Sequence, residues 1–287
     1  MKFGVTMFAT DRTVLPTRLG QLVEEAGLDA IYLGEHSHTP VDRSSAYPTG
    51  GELPDDFYRF HDPVTALTAI AAVTTDIEVG VGTLVMPSHD PIHLAKRLAT
   101  LDHVSGGRLV VGVGAGWNLE EIANHGTDPT QRFTALRERV EAVRCIWTQE
   151  IAEYRGRTVE FRPMYQWPKP LQSPHPPIYL GGAGPTSEAR VVAYADGWLV
   201  SGRHLDGDEL ARRFANLQDL AEQAGRDAIP VMIQQGTPTP EALERYLTIG
   251  LRACTLRVHP GDEREVADQI HQIARLVEPY HDGTASG

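Results

Sequence analysis

Short apolar runs alternate with longer stretches of helical spacing from one end of the chain to the other. KFGVTMFA (2–9) reads as a first strand, followed by a helix over roughly Thr13–Ala26 that Gly27 stops. DAIYLGEH (29–36) is a second strand, and residues 37–61, rich in Pro, Gly, Ser and Asp, form a loop. Asp62-Pro63 and Asp90-Pro91 each place a capping carboxylate before a proline, the order that helix starts favour. They open helices to about Thr75 and His103, with IEVGVGTLV (77–85) between them and RLVVGVG (108–114) after the second.

A long helix over approximately Thr130–Thr148 follows. Residues 151–177 then break the rhythm with Tyr154-Arg155-Gly156-Arg157, a short β-like VEF and several prolines, which reads as an inserted loop or hairpin on a rim. PIYLGG (177–182), DGWLV (196–200), PVMIQQ (230–235) and RACTLRV (252–258) continue the strands. Helices are expected at 186–194, 208–224, 240–249 and about 263–277. Strands alternating with helices imply a parallel sheet, and eight such pairs close a (β/α)8 TIM barrel. An open doubly wound sheet has no need of the eighth. The chain therefore reads as one α/β domain over 1–287, with a rim insertion at about 151–177 and a frayed tail at 281–287.

Charge and cysteine usage narrow the classes. A formal net charge of -12 argues against a nucleic-acid partner, which favours a basic stripe. No apolar run is long enough to span a membrane. The start, MKFGVTMFATD, enters a strand without a secretory segment, and the only cysteines, Cys145 and Cys254, form neither a disulfide framework nor a zinc motif. The expectation is a reduced cytoplasmic protein acting on a small molecule.

In such barrels chemistry gathers where the strands end. That face holds Phe8 and Thr10, then Glu35, His36 and His38, then Gly82 and Thr83. Gly112, Gly114, Gly116, Trp117 and Asn118 follow, then Gly181, Gly182 and Gly184, then Ser201 and Arg203. Gly112-x-Gly114-x-Gly116 resembles half of a dinucleotide fingerprint, but its third glycine falls one residue early, and a plain turn explains it as well. Gly181-Gly182-Ala183-Gly184-Pro185-Thr186-Ser187 leads straight into a helix, so free N–H groups and the helix dipole face one point and suit a phosphate; the alternative is an ordinary β-to-α loop that needs glycine for its tight turn.

His36 is the candidate for proton chemistry, because its pKa lies naturally near neutrality; the alternative is a histidine bonded within the wall. His38 and His61 flank the long loop, either as substrate contacts or as solvated residues. Glu35, His36 and His38 lack a metal-ligand spacing, so no metal site is expected. Trp117 is placed to stack on a planar ring or to cover the core.

With these residues in view, the chain resembles the luciferase-like monooxygenase superfamily, nearest its deazaflavin-dependent (coenzyme F420) oxidoreductase branch. The resemblance rests on GLDAIYLGEH, on DPVTALTAIAAVTTDIEVGVGTLVMPSHDPIHLAKRLATLDHVSGGRLVVGVGAGWN, on the Pro-rich insertion and on PPIYLGGAGPTSEARVVAYADGW. It implies a flavin or deazaflavin ring at the C-terminal face, with Glu35-His36 as the polar contact to ring or substrate; Phe8, His38 and His61 are the substrate candidates by their place in the chain. It further implies a non-proline cis peptide at Gly82-Thr83 behind the ring. The loop 112–116 with Trp117, and the cluster Gly181, Gly182, Ala183 and Gly184, would hold the cofactor's polyol and phosphate. Some sugar-phosphate dehydrogenases of this branch carry a glutamate where this chain has Trp117, so that specificity does not carry over.

The resemblance implies hydride transfer between the 8-hydroxy-5-deazaflavin coenzyme F420 and a small organic substrate. His36 would move the proton, and Glu35 would orient it. The rival on the same fold is a two-component monooxygenase using FMN. A rival of another class is a non-catalytic flavin-binding protein. The deazaflavin's longer anionic tail needs a groove that Arg203 or Arg155 would line. Family members commonly form homodimers, for which the Ala-rich helix at 65–73 is the candidate surface; packing on its own barrel is the alternative.

Overall fold

A computed structural model describes residues 1–281. The eight parallel strands are β1 (Lys2–Met7), β2 (Ala30–Leu33), β3 (Glu78–Val85), β4 (Leu109–Gly114), β7 (Ile178–Gly181), β8 (Gly197–Ser201), β9 (Val231–Gln234) and β10 (Ala253–Val258). They close in the order β1-β10-β9-β8-β7-β4-β3-β2. The doubly wound alternative is thereby removed. Around them lie α1 (Pro16–Glu25), α2 (Pro63–Ala71), α3 (Pro91–Val104), α4 (Leu119–Asn124), α5 (Arg132–Thr148), α6 (Ser187–Tyr194), α7 (Gly207–Gln223), α8 (Pro240–Ile249) and α9 (Glu263–Val277).

The capping carboxylates act as their positions suggest. Asp62 accepts from Thr65 N and Asp90 from His93 N, each ahead of a proline in the first turn. Helix α1 starts at Pro16 rather than Thr13, because Leu15 is still extended. The short α4 was not expected; Asn118 caps it through Glu121 N. The rim insertion is an antiparallel hairpin of β5 (Ile151–Arg155) and β6 (Glu160–Tyr165). His281 packs on Phe3 with ring centres 5.4 Å apart; the rest of the expected frayed tail, 282–287, lies outside the described residues. Helix α2 buries Val64, Leu67 and Ile70 against its own barrel. Among the described residues, no helix is long and apolar enough to cross a membrane.

The barrel interior decides where a ligand fits. Its lower part is filled by Tyr32, Tyr179, Met232, Val110 and Leu199. Two glycines admit the tyrosines: a Cβ at Gly80 would fall 2.2 Å from Tyr32, and one at Gly197 2.3 Å from Tyr179. Below them Glu78 closes the barrel floor, accepting from Tyr32 Oη at 2.5 Å, Arg252 at 2.7 Å and Lys2 at 3.0 Å. Strand side chains alternate in direction. Two residues above the packed layer, the same inward face therefore carries Gly34, Gly82 and Gly181, which leave the barrel open, and Gln234, whose carboxamide lies over Gly82.

Candidate active site

A cavity of about 680 Å³ opens at the C-terminal ends of the strands. This size suits a drug- or cofactor-sized ligand. Phe8, Glu35, His36, Gly82, Thr83, Gly114, Gly116, Trp117 and Gly181 through Gly184 all line it.

His36 lines it, held between two partners. Nδ1 is 2.6 Å from Oε2 of Glu121, which α4 delivers, and Trp117 Nε1 donates to Nε2 at 3.2 Å. An indole N–H can only donate. Nε2 is therefore the acceptor, and the neutral ring carries its proton on Nδ1, bonded to the Glu121 carboxylate. Burial by itself raises the Glu121 carboxyl. The hydrogen bond and charge of His36, with the Ser37 amide, outweigh it and hold the carboxyl below its ordinary value. Glu121 is 1% exposed, so this pairing is shielded from solvent.

Glu35 does not orient His36, contrary to expectation. Its carboxylate turns the other way, accepting from Val85 N at 2.5 Å and from His89 Nε2 at 2.9 Å. Adjacent residues at a strand end point to opposite sides, so Glu35 and His36 do not meet. Glu35 instead pins the strand just beyond the β3 bulge. Strand pairing between β3 and β4 shifts register between Val81 and Leu84, and Gly82-Thr83 is cis.

The glycines around Thr83 serve packing as well as access. A Cβ at Gly114 would lie 2.8 Å from Thr83 Oγ1, and one at Gly181 2.7 Å from Thr83 Cγ2. The bare wall therefore receives Thr83 first and a ligand only above it. Gly116, with φ of 74°, would meet Val85 at 2.7 Å. Gly112 is removed from the cofactor set: it does not line the cavity, and a Cβ there would strike Val81 O at 2.2 Å inside the wall.

The loop 182–184 differs. Its carbonyls all face away from the cavity: Trp198 Nε1 bonds Gly182 O at 2.8 Å, and Arg213 bonds Ala183 O at 2.6 Å and Gly184 O at 2.9 Å. Among the described residues the N–H groups of 182–184 have no protein acceptor. A Cβ at Gly182 or Gly184 would meet only Ser187, at 3.7 or 3.9 Å. Open N–H groups ahead of α6, with the buried Ser187 and Arg190 on the same wall, fit a phosphate.

Residues 37–61 fold over the mouth and bring Tyr47, Phe57 and Phe60 to the cavity. Phe57 lies 5.1 Å and Trp117 5.4 Å from the His36 ring centre. Arg203 straps the loop through Tyr47 Oη at 3.2 Å and Thr49 Oγ1 at 2.7 Å. Glu120 holds Ser44 N at 2.7 Å; hydrogen bonds, led by that of Ser45, bring its carboxyl down to about 2.

His38 and His61 are removed from the substrate set. His38 bonds Ser37 and Asn124 beside His125, outside the cavity, while His61 contributes its backbone N–H to Ala9 O. Thr10 pairs with Phe60 through a backbone bridge. Arg155 is 84% exposed on the hairpin, facing Glu160, and lines no groove. No group of three metal-ligating side chains occurs among the described residues.

The sequence reading missed Glu121, Tyr47, Phe57, Phe60, Arg190, Gln234 and Gln235. Glu121 had a readable signal, since Asn118 followed by two acids is a helix start. The others depend on loop folding and strand direction.

A barrel with a cis bulge within the third strand, a histidine after the second and a loop of open amides before α6 defines a class. The chain belongs to the luciferase-like monooxygenase family, whose sequence model matches residues 16–245. An uncharacterized protein of Mycobacterium tuberculosis is 43% identical over 279 residues, 96% of this chain and 98% of that one. The FMNH2-dependent dimethylsulfone monooxygenase of Pseudomonas putida is 30% identical over 176 residues, 60% of this chain and 47% of that one. An F420-dependent secondary alcohol dehydrogenase, solved with an F420–acetone adduct, shares the fold: its TM-score is 0.74 at 17% identity, over 98% of this chain and 100% of that one.

Proposed function

We propose that the protein is an F420-dependent oxidoreductase, carrying hydride between the deazaflavin coenzyme and a small organic substrate. The observation that carries this reading is His36, held as the Nδ1–H tautomer by Glu121 with Nε2 accepting from Trp117, both rings lining the cavity. The amides of 182–184, Ser187 and Arg190 would hold the coenzyme's phosphate, and Thr83 would stand against its ring. The bound deazaflavin supplies the hydride chemistry.

His36 then moves the accompanying proton at Nε2. Its Nδ1–H bond to Glu121 stabilises the imidazolium that forms when Nε2 takes a proton. A protonated Nε2 has no lone pair for Trp117, so the indole must yield as the proton arrives. Phe8, Phe57 and Phe60 keep water from the reacting side.

A feature at the far wall favours the deazaflavin over FMN. The guanidinium groups of Arg190 and Arg132 lie 3.8 and 4.6 Å from the Phe133 ring centre. Neither has a carboxylate within ion-pairing distance among the described residues. Arg132 thus adds a second cation, across Phe133, beside the phosphate position of Arg190, and a second cation there suits a coenzyme with an anionic extension. The second reading, an FMN-dependent monooxygenase, is favoured by the named Pseudomonas putida relative, and the loop donors serve its phosphate equally. The proposal takes the protein as a homodimer, with Thr65, Ala72 and Val73 exposed on and just beyond α2 for a mate.

Side-by-side equilibrium titration of the apoprotein with F420 and FMN, oxidised and reduced, tests the assignment. Much tighter F420 binding that weakens in Arg190→Gln supports it; the reverse preference transfers the reading to the monooxygenase.

A further inference from the structure

The two halves of the barrel mouth differ in chemistry. On β2, β3, β4 and β7 the inward positions are Gly34, Gly82, Gly114 and Gly181. On the opposite arc, the ends of β8, β9 and β10, they are Ser201, Gln234, Thr255 and Arg257, with Arg203 and Gln235 just beyond. Barrel interiors are ordinarily filled by branched aliphatic side chains, so a polar arc needs a partner.

Gln234 is the clearest case. It is 6% exposed and lines the cavity, and its carboxamide reaches across the barrel onto Gly82. Its Nε2 has no partner among the described residues. Thr255, its register neighbour on β10, is 1% exposed with Oγ1 equally unpartnered. Gln235 holds a left-handed backbone, φ 52°, and its buried Oε1 also lacks a partner. A buried polar group left unbonded is destabilising. Gln234 and Gln235 line the cavity and Thr255 lies behind Gln234; the unmet donors, Gln234 Nε2 and Thr255 Oγ1, call for an acceptor, whereas Gln235 Oε1 is itself one.

Two cations complete the arc. Arg203 uses N–H groups on Tyr47 and Thr49 and retains others, and Arg257 lies 5.2 Å from the ring centre of Phe8. Arg18, Arg59, Arg97, Arg144, Arg213 and Arg252 each meet a carboxylate. Arg203 and Arg257 meet none among the described residues, in a chain of net charge -12. Burial, and then the charge of Arg203, lower the Arg257 guanidinium from its ordinary value; Tyr47 and Asp56 oppose this from the overhanging loop.

We propose that this arc is the substrate's seat and that the substrate carries an oxyanion, a carboxylate or a phosphate, received by Gln234 and Arg203 with Arg257 behind. The proposal rests on the reading of the cavity as a coenzyme-and-substrate site and deepens it. The coenzyme's anionic end lies at 182–190 and the substrate's at 201–257. An oxyanion gives charge-assisted hydrogen bonds to donors that otherwise have none.

The test titrates the full chain with sodium malonate and, separately, inorganic phosphate at constant ionic strength, following Trp117 fluorescence against a Trp117→Phe control. A saturable site is expected whose dissociation constant rises at least about tenfold in Arg203→Gln and Gln234→Leu. Arg203→Lys should recover part of it, and phosphate is titrated in the Arg190→Gln background so that the loop at 182–190 does not contribute. Saturation by malonate alone identifies a carboxylate, and by phosphate alone a phosphate. Absence of saturation, or saturation indifferent to Arg203 and Gln234, overturns the proposal. F420 titrations of the same variants separate it from the coenzyme reading. If F420 affinity falls with Gln234→Leu and Arg203→Gln, the arc serves the coenzyme and the proposal fails. If F420 binds nowhere while malonate still depends on Arg203, the coenzyme reading fails and the oxyanion seat stands.

Discussion

His36 Nδ1 lies 2.6 Å from Oε2 of Glu121, which comes 85 residues later in the chain, and this contact joins the second strand's end to the short helix after the fourth. It fixes which ring nitrogen faces the cavity. Replacing Glu121 by Gln keeps the shape and removes the charge that supports an imidazolium. Turnover should fall by about 10²-fold or more, in line with the usual contribution of positioned acid–base groups. The pH–rate profile should change in Glu121→Gln; an unchanged profile with the same loss of rate would mean Glu121 is only structural.

The same pair makes stability depend on pH. Glu121 is depressed in the folded protein relative to its ordinary value of 4.5. Its contribution is thus complete above that value and is lost as pH falls through the folded one, because the unfolded chain then binds more protons. Urea midpoints measured through this acid range should fall less steeply in Glu121→Gln than in the parent.

Glycines 112 and 184 should respond differently to a methyl group. A Cβ at Gly112 would sit 2.2 Å from the backbone oxygen of Val81, and at Gly184 3.9 Å from Ser187. Gly112→Ala should cost about 1–3 kcal/mol by overpacking, while Gly184→Ala should stay within about 0.5 kcal/mol. Chemical denaturation of both decides it; equal losses would contradict the packing described.

Arg213 is 14% exposed, pairs with Glu188 at 6%, and ties the carbonyls of Ala183 and Gly184. Arg213→Leu leaves a carboxylate buried without its partner and should destabilise by about 3–5 kcal/mol. It should also release the loop amides. Cofactor affinity should therefore fall even below the unfolding transition, as isothermal titration would show.

Much of this fold was written in local pattern. Asp62-Pro63, Asp90-Pro91 and the runs ending at Gly114 and Gly181 located helices and strands within a few residues, since capping and alternation act over short distances. The site was legible only by strand end. Which carboxylate reaches His36 depends on the direction of a side chain at a strand's last turn, and the neighbour in sequence, Glu35, proved to face Val85 and His89 instead. Phe57 and Phe60 reach the cavity only because a loop without periodicity folds back to bridge Thr10. Gln234 and Arg257 read as ordinary strand residues until the opposite wall is seen to be glycine.

The most direct measurement is the tautomer and protonation of His36, by 15N–1H correlation of the histidine rings in labelled protein, assigned with His36→Asn. The structure predicts that the neutral form of the ring carries its proton on Nδ1, with Nε2 showing the shift of an acceptor and changing in both Glu121→Gln and Trp117→Phe. A neutral ring protonated on Nε2 would contradict the arrangement from which the proton chemistry of this site is argued.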